Sequence, residues 1–148
     1  MTAPPVTPFR ARLQGHFVSL LSWEHLTSFW DILLARADAG WYVYAVGEEI
    51  PVAPRTAEQI TRFVREVDML LHRDHDEDYC GIVYTDSRTE PTLVKIFDPN
   101  NLGSSCGSSK NPPPPRWILS LQAPEALDSG STVPESRRRW WNALWVQT

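Results

Sequence analysis

Cysteine is scarce in this chain: only Cys80 and Cys106 occur among its 148 residues. Two thiols cannot build a disulfide scaffold, so the fold has to be held together by its hydrophobic core. The length is that of a single domain, and a hydrophobic fraction of 42% is sufficient for such a core. We therefore expect a protein of a reducing, cytoplasmic compartment. A Cys80–Cys106 bridge stays open because the sequence gives no Cα separation.

Long apolar runs and an excess of positive charge are also missing. No run approaches the ~18 residues of a membrane span, and the N-terminal segment has no continuous apolar stretch of the kind found in secretory signals. The formal charge of −4 argues against nucleic-acid binding by phosphate neutralisation, because that mode needs a basic face. We expect neither a membrane nor a nucleic acid as partner, and the oligomeric state stays open.

The signatures of common enzymes are absent as well. The sequence has no nucleotide-binding fingerprint, no nucleophile elbow and no metal-binding motif. The acidic stretch 72–78 contains metal-ligand residue types without a fixed ligand spacing, which favours a solvated connection. Cys106 would need a neighbouring base to act as a nucleophile, and no specific signature supports that role. We predict no catalytic residue, no metal and no cofactor, and we favour a non-enzymatic role.

Amphipathic periodicity predicts three helices. The first covers residues 22–37, with Ser22 as its N-terminal cap. The second opens at Thr56, and Gln59 three residues later completes the spacing of a capping box. The third follows Thr132 near the C-terminal end of the sequence, and Glu135 again has that spacing. All three place their apolar residues on one face, as helices that cover a core do.

Four segments rich in β-branched and aromatic residues are predicted to be strands, namely 41–46, 80–85, 92–97 and 116–121. The short polar link between the second and third cannot hold a parallel crossover, so this pair should form an antiparallel hairpin. In the last strand, alternate residues should face opposite sides of the sheet. Cys80 should be a small buried residue at the start of its strand.

The order of these elements predicts an α+β fold. We expect a small, mostly antiparallel sheet of about four strands covered by three helices, with one possible right-handed crossover. Residues 1–8 carry three prolines without periodicity and are interpreted as a flexible lead-in. Residues 9–148 then form a single globular domain with one long loop rich in Gly, Ser and Pro.

That loop, residues 98–116, is the most unusual part of the sequence. It joins two predicted strands and combines turn residues, a Gly/Ser stretch and the four prolines 112–115. It does not match a phosphate-binding loop, because only three residues separate Gly103 from Gly107 and Lys110 does not directly follow the second glycine. Its candidate partner-binding or ligand-binding residues are Asp98, Asn100, Asn101, Ser104, Ser105, Cys106 and Arg116.

Three interpretations of the 98–116 loop remain open. It can be a solvent-exposed connection held by its own side chains, a surface that contacts another protein, or a site for a small ligand or anion. The prolines should form a polyproline II rod. We favour a rod that stiffens the return into the last strand over a P-x-x-P ligand motif, which usually lies in a free tail.

The C-terminal helix supplies a second candidate contact surface. Trp141, Leu144 and Trp145 should dock onto the sheet and leave the arginines 137–139 in water. An exposed Trp140 beside Arg138 would suit an interface, where aromatic residues and arginine are enriched.

The leading hypothesis is therefore a cytoplasmic, non-enzymatic module that binds another protein. It would act as a regulator, adaptor or assembly factor and present the 98–116 loop together with the C-terminal helix. The alternative is a small-ligand or anion-binding protein, or an enzyme, that uses the loop around Cys106. This alternative predicts a concave pocket at the loop and at least one perturbed titratable side chain.

Overall fold

The computed structural model describes residues 7–100, 114–128 and 133–146 of the chain. Within these residues four helices are present: α1 (Pro8–Leu13), α2 (Trp23–Leu34), α3 (Ala57–Asp74) and α4 (Glu135–Leu144). The five strands are β1 (Val18–Ser19), β2 (Tyr42–Ala45), β3 (Val83–Thr85), β4 (Leu93–Ile96) and β5 (Trp117–Ser120). The α+β prediction is confirmed, with one helix and one strand more than expected.

The five strands form one antiparallel sheet in the order β1-β3-β4-β5-β2. The hairpin predicted between β3 and β4 is confirmed, with Val83 opposite Ile96. The possible right-handed crossover does not occur, because β2 pairs antiparallel with β5. In this pair Val43 lies opposite Leu119. Among the described strands no parallel pair occurs. β2 lies at one edge of the sheet, and among the described strands its only partner is β5, which follows the 98–116 loop.

The caps of α2 and α3 are those that the sequence predicts. Ser22 accepts a hydrogen bond from the His25 N–H. At α3, the Thr56 hydroxyl accepts from the Gln59 N–H while the Gln59 side chain accepts from the Thr56 N–H, which is a complete capping box. Both helices begin where a side chain satisfies the first free backbone donors.

The cap predicted for the last helix was wrong. The N-cap of α4 is Pro134, which makes no side-chain hydrogen bond to the helix. Thr132, the predicted cap, lies outside the described residues and two positions before Pro134. The sequence spacing of Thr132 and Glu135 therefore does not mark the start of α4.

Helix α1 was not predicted from the sequence; its first residue, Pro8, is the last residue of the predicted lead-in, and residues 9–13 belong to the predicted domain. Thr7 caps it by accepting from the Arg10 N–H at 3.2 Å, and Pro8 takes the first helical position, where a missing N–H costs nothing. The Thr7 hydroxyl also donates to the Glu125 carboxylate, and Arg10 pairs with Glu125 at 3.3 Å. Residues 1–6 of the lead-in lie outside the described residues.

Both faces of the sheet are covered by apolar groups. On one face Trp117 and Leu119 of β5 pack with the buried stripes of α2, α3 and α4. On the other face Ile118 packs in a smaller cluster with Phe9 of α1. Its remaining buried members are Tyr44, Val46 and Leu93. The alternation predicted for β5 is confirmed, and α1 is the element that covers its second face.

Candidate functional site

A cluster of buried charged side chains lies where the 98–116 loop leaves the sheet. We call it the Asp98 cluster; it consists of Asp74, Asp98, Arg116 and Arg137. Asp98 follows β4 by two residues and Arg116 immediately precedes β5, so both ends of the loop enter the cluster. Asp74 is the last residue of α3, and Arg137 lies in the first turn of α4. Two strands and two helices therefore meet at this point.

Asp98 is the centre of the cluster and is only 3% exposed. Arg137 binds it with two hydrogen bonds, from Nε to Oδ2 and from Nη2 to Oδ1, both at 2.9 Å. Arg116 Nε donates to Oδ2 at 3.2 Å. The Asn100 N–H donates to Oδ1 at 2.9 Å, so the loop begins with a turn in which the Asp98 side chain accepts from the backbone two residues later. Four donors thus converge on one carboxylate.

Arg137 also connects the cluster to the end of α3. Its Nη2 donates to Asp74 Oδ2 at 2.9 Å. Arg73 binds the same carboxylate with two hydrogen bonds, from Nε to Oδ1 at 2.8 Å and from Nη2 to Oδ2 at 3.2 Å. Arg137 therefore bridges two carboxylates, each of which also has a second guanidinium partner. The planar guanidinium carries several donors in a fixed fork and can bond both carboxylates at once, which the ammonium group of a lysine cannot reproduce.

The pairing shifts the titration of these groups. Burial alone would raise the pKa of Asp98, but the hydrogen bonds from Arg137 and Asn100 and the two positive charges outweigh it, and the pKa lies below its ordinary value. For Asp74, the hydrogen bond from Arg73 and then the contact with Arg137 lower the pKa to about 2. Although burial opposes its charge, the pKa of Arg137 is raised by the two carboxylates. Asp74, Asp98 and Arg137 therefore stay charged at neutral pH.

The structure places the predicted site residues in different environments. Asp98 and Arg116 lie in the interior as the base of the loop, and Asn100 is exposed beside them. Asn101, Ser104, Ser105 and Cys106 lie outside the described residues, as do Gly103, Gly107, Lys110 and the first two of the four prolines. The interpretation of the loop as a ligand or anion site therefore stays a prediction.

The C-terminal helix differs from the prediction at Arg137 and Trp140. Arg137 is only 6% exposed and belongs to the Asp98 cluster, so the expectation that residues 137–139 all face water was wrong. Trp140 is half-buried, with its ring 5.2 Å from that of Trp117. Arg138 is exposed and lies 3.7 Å from Glu48, and Trp141 and Leu144 are buried as predicted.

Arg137 and Asp74 are the functional candidates that sequence reasoning missed. The signal for Arg137 was its position, because residues 137, 141 and 144 recur at helical spacing and share the buried face of α4. Asp74 carried no comparable signal in the sequence. Whether a carboxylate at the end of a helix finds a partner depends on which element packs against that end.

The other side chains considered for chemistry have structural partners. His72 stacks on the Trp23 ring at 4.1 Å and His75 Nε2 bonds the Cys80 carbonyl at 2.9 Å. Cys80 is fully buried, as predicted, and burial raises the pKa of its thiol. Among the described residues no group of three or more His, Cys, Asp or Glu side chains could hold a metal ion. In the same part of the chain no helix is long and apolar enough to cross a membrane.

Comparison with known proteins gives no match. No protein-family model, no curated protein and no solved structure is significantly similar to the chain. The fold and the Asp98 cluster thus define an α+β protein with a five-stranded antiparallel sheet, and its function has to be argued from its own residues.

Proposed function

We propose that the chain is a protein-binding module that presents the 98–116 loop and the adjoining surface of α4 to a partner. The observation that carries this proposal is the Asp98 cluster, which ties together both ends of the loop. The Asp98–Arg116 pair joins the residue that enters the loop to the residue that leaves it, at 3.2 Å. Arg137 fixes α4 to the same carboxylate at 2.9 Å.

A fixed base favours binding through the loop. Ordering a free segment at an interface costs conformational entropy, and that cost falls when the ends of the segment are already held in place. Because Asp98 and Arg116 are buried, they hold the ends of the loop in place and do not contact the partner themselves. The contacts would come from the residues between them, of which Asn100 is exposed next to the base.

Helix α4 adds an exposed basic surface beside this base. Arg138 and Arg139 follow the buried Arg137 in sequence and are both exposed. Trp140 is half-buried and lines a small cavity of about 170 Å³ with Arg62 and Leu144. Arginine and tryptophan are the side chains that most often dominate binding energy at interfaces. A regulator, adaptor or assembly factor would use such a surface.

A comparison of two double variants tests the proposal. Tagged full-length protein is used to recover partners from lysates of its native cell, in its wild-type form, as Asn100→Ala/Asn101→Ala and as Ser28→Ala/Asp31→Ala. Ser28 and Asp31 are exposed on α2 and serve as the matched control. We expect one set of proteins to be recovered with the wild type and the control and lost with the loop variant.

Recovered proteins are then purified and titrated against the three forms. Loss of loop contacts should weaken binding at least about tenfold, which corresponds to about 1.4 kcal/mol. The proposal is wrong if the three forms recover the same background set, or if the recovered protein binds all three with equal affinity.

A further inference from the structure

The segment 48–55 forms one wall of a cleft beside β2. Both ends of the segment are attached to the strand region, because the Glu48 N–H donates to the Ala45 carbonyl at 2.9 Å and the Arg55 N–H donates to the Trp41 carbonyl at 2.8 Å. The cleft has a volume of about 650 Å³, within the range of about 300–1,000 Å³ that is common for small-ligand sites. The lining residues outside the segment are Val43, Gln59, Trp141 and Asn142.

Arg55, which lines this cleft, carries a guanidinium group without an anionic partner. It lies over the Trp145 ring, 3.7 Å from the ring centroid. In the part of the chain that the structure describes, no carboxylate pairs with this group and no oxygen accepts a hydrogen bond from it. The buried arginines of the Asp98 cluster, Arg116 and Arg137, both bond the Asp98 carboxylate. Arg55 has an aromatic ring where those two have a carboxylate.

The partial burial of Arg55 makes the lack of a partner unfavourable. The side chain is half-buried, and burial lowers the pKa of its guanidinium. No charge or hydrogen bond of the described residues opposes this shift. An arginine nevertheless stays charged at neutral pH. Because a guanidinium can bind a carboxylate with two parallel hydrogen bonds, an anionic group in the cleft would offset the cost of burying the charge.

Glu49 provides an unpaired charge of the opposite sign in the same cleft. It is exposed, and no cation of the described residues pairs with it. The other carboxylate in the lining, Glu48, is paired with Arg138 at 3.7 Å. Among the described residues, one guanidinium and one carboxylate in the lining therefore remain for a ligand. A complementary ligand carries one negative and one positive group.

Uncharged side chains in the lining add further possible contacts. The Gln59 amide is held by its oxygen, which accepts from the Thr56 N–H in the capping box, and its NH2 group has no acceptor among the described residues. Ile50 is 37% exposed and gives the cleft an apolar surface together with Trp141. The cleft therefore combines two opposite charges with an amide donor and an apolar wall, which suits a small molecule with polar ends and an apolar part.

We propose that this cleft binds a small zwitterion, either a free amino acid or a short peptide with both termini free. The carboxylate of the ligand accepts hydrogen bonds from the Arg55 guanidinium, and its ammonium group donates to the Glu49 carboxylate. An apolar side chain of the ligand packs against Ile50 and Trp141. The site lies apart from the 98–116 loop and does not depend on the function proposed for it.

Calorimetry on the full-length chain tests this proposal with each of the common L-amino acids and with a set of dipeptides. We expect at least one zwitterion to bind with a dissociation constant of about 1 mM or below. Analogues that lack its carboxylate or its ammonium group should each bind at least about tenfold more weakly. In NMR spectra, the signals of the Arg55 Nε–H and of the Gln59 side-chain amide should shift when the zwitterion is added. Whether free amino acids or only dipeptides bind identifies the source of the ligand.

Two variants and their matched controls locate the site. Arg55→Gln and Glu49→Gln should each weaken binding at least about tenfold. Arg65→Gln, at an exposed position of α3, and Glu90→Gln, at an exposed position of the β3–β4 hairpin, should bind as the wild type does. Because Glu49 is exposed and unpaired among the described residues, Glu49→Gln should fold normally and give a result even if Arg55→Gln does not fold.

Three outcomes would overturn the proposal. The first is that no zwitterion binds at about 1 mM. The second is that the analogues bind as tightly as the zwitterion, and the third is that Glu49→Gln keeps the affinity of the wild type. Asn100→Ala/Asn101→Ala should bind the zwitterion normally. Failure of the loop as a partner site and failure of the cleft as a ligand site are therefore distinguishable.

Discussion

At the scale of single residues, Arg137 is the side chain that connects α4 to both carboxylates at the base of the 98–116 loop. It is the third residue of α4, and its guanidinium contacts the carboxylates of both Asp98 and Asp74. Its neighbours Arg138 and Arg139 have the same chemistry but face solvent. Composition alone does not distinguish the buried arginine from the two exposed ones, whereas the helical spacing between Arg137 and Trp141 does. Spacing identifies the buried position, and only packing reveals the carboxylates it meets.

Removal of the Arg137 side chain should destabilise the fold. Arg137→Ala leaves Asp98 buried with one of its two guanidinium partners gone, and breaking a buried pair in this way costs about 3–5 kcal/mol. Arg139→Ala, two residues along the same helix and exposed, should change stability by less than about 0.5 kcal/mol. Urea unfolding followed by tryptophan fluorescence measures both. Equal free energies of unfolding for the two variants would contradict this role of Arg137.

The lowered pKa of Asp74 predicts a loss of stability in acid. The folded chain holds this pKa at about 2, against an ordinary value of 3.8. Below pH 4 the unfolded chain therefore takes up a proton that the folded chain does not, and the free energy of unfolding falls as the pH decreases towards 2. Asp74→Asn should be less stable than the wild type at pH 7 and show a shallower dependence on pH between 4 and 2.

The matched control for this pH experiment is Asp31→Asn, an exposed carboxylate on α2. It should keep the acid dependence of the wild type. An Asp74→Asn variant whose stability follows the wild-type curve at every pH would show that the contacts of Asp74 with Arg73 and Arg137 do not stabilise the fold.

At the scale of elements, the length of each helix or strand determined whether the sequence pattern could predict it. Helix α3 has 18 residues, and its apolar stripe and its capping box both follow from the sequence pattern. Helix α1 has six residues and β1 has two, which is too short for any periodicity to appear. Both exist because of distant contacts, such as Phe9 in the second apolar cluster and the pairing of Val18 with Thr85. Such contacts leave no local pattern in the sequence.

The capping box of α3 should contribute measurably to stability. Thr56→Ala removes the acceptor of the Gln59 N–H and should lower the free energy of unfolding by about 1 kcal/mol. Ser28→Ala, at an exposed position inside α2, should change it by no more than about 0.5 kcal/mol. Amide exchange should also accelerate in the first turn of α3 in the Thr56 variant. An unchanged exchange rate there would contradict the role of the box.

At the scale of the whole molecule, the sheet has an apolar cluster on each face. The sequence predicted the alternation of β5, and with it an apolar residue on the second face. It did not predict the cover, because α1 has only six residues and shows no periodicity. The Leu127 N–H donates to the Tyr44 hydroxyl at 3.0 Å on that side, so the segment after β5 also packs there. The second face of the sheet is therefore covered by α1 and by the segment that follows β5.

The second cluster should be needed for the stability of the fold. Phe9→Ala creates a cavity at a side chain that is 1% exposed, and such truncations cost about 3–5 kcal/mol. Val52→Ala, at a side chain that is 96% exposed, is the control and should have little effect. Thermal and urea unfolding measure both variants. If Phe9→Ala unfolds like Val52→Ala, α1 does not form a core with the sheet.

Partner binding at the fixed base of the 98–116 loop is tested most directly by site-specific photo-crosslinking in the native cell. A photoreactive side chain is introduced at the position of Asn100, next to the Asp98 cluster, and in a second strain at the position of Ser28 on α2. Both positions are exposed. The account predicts a discrete cross-linked product with another protein from position 100 and none of that mass from position 28. The same products from both positions, or none from either, would contradict it.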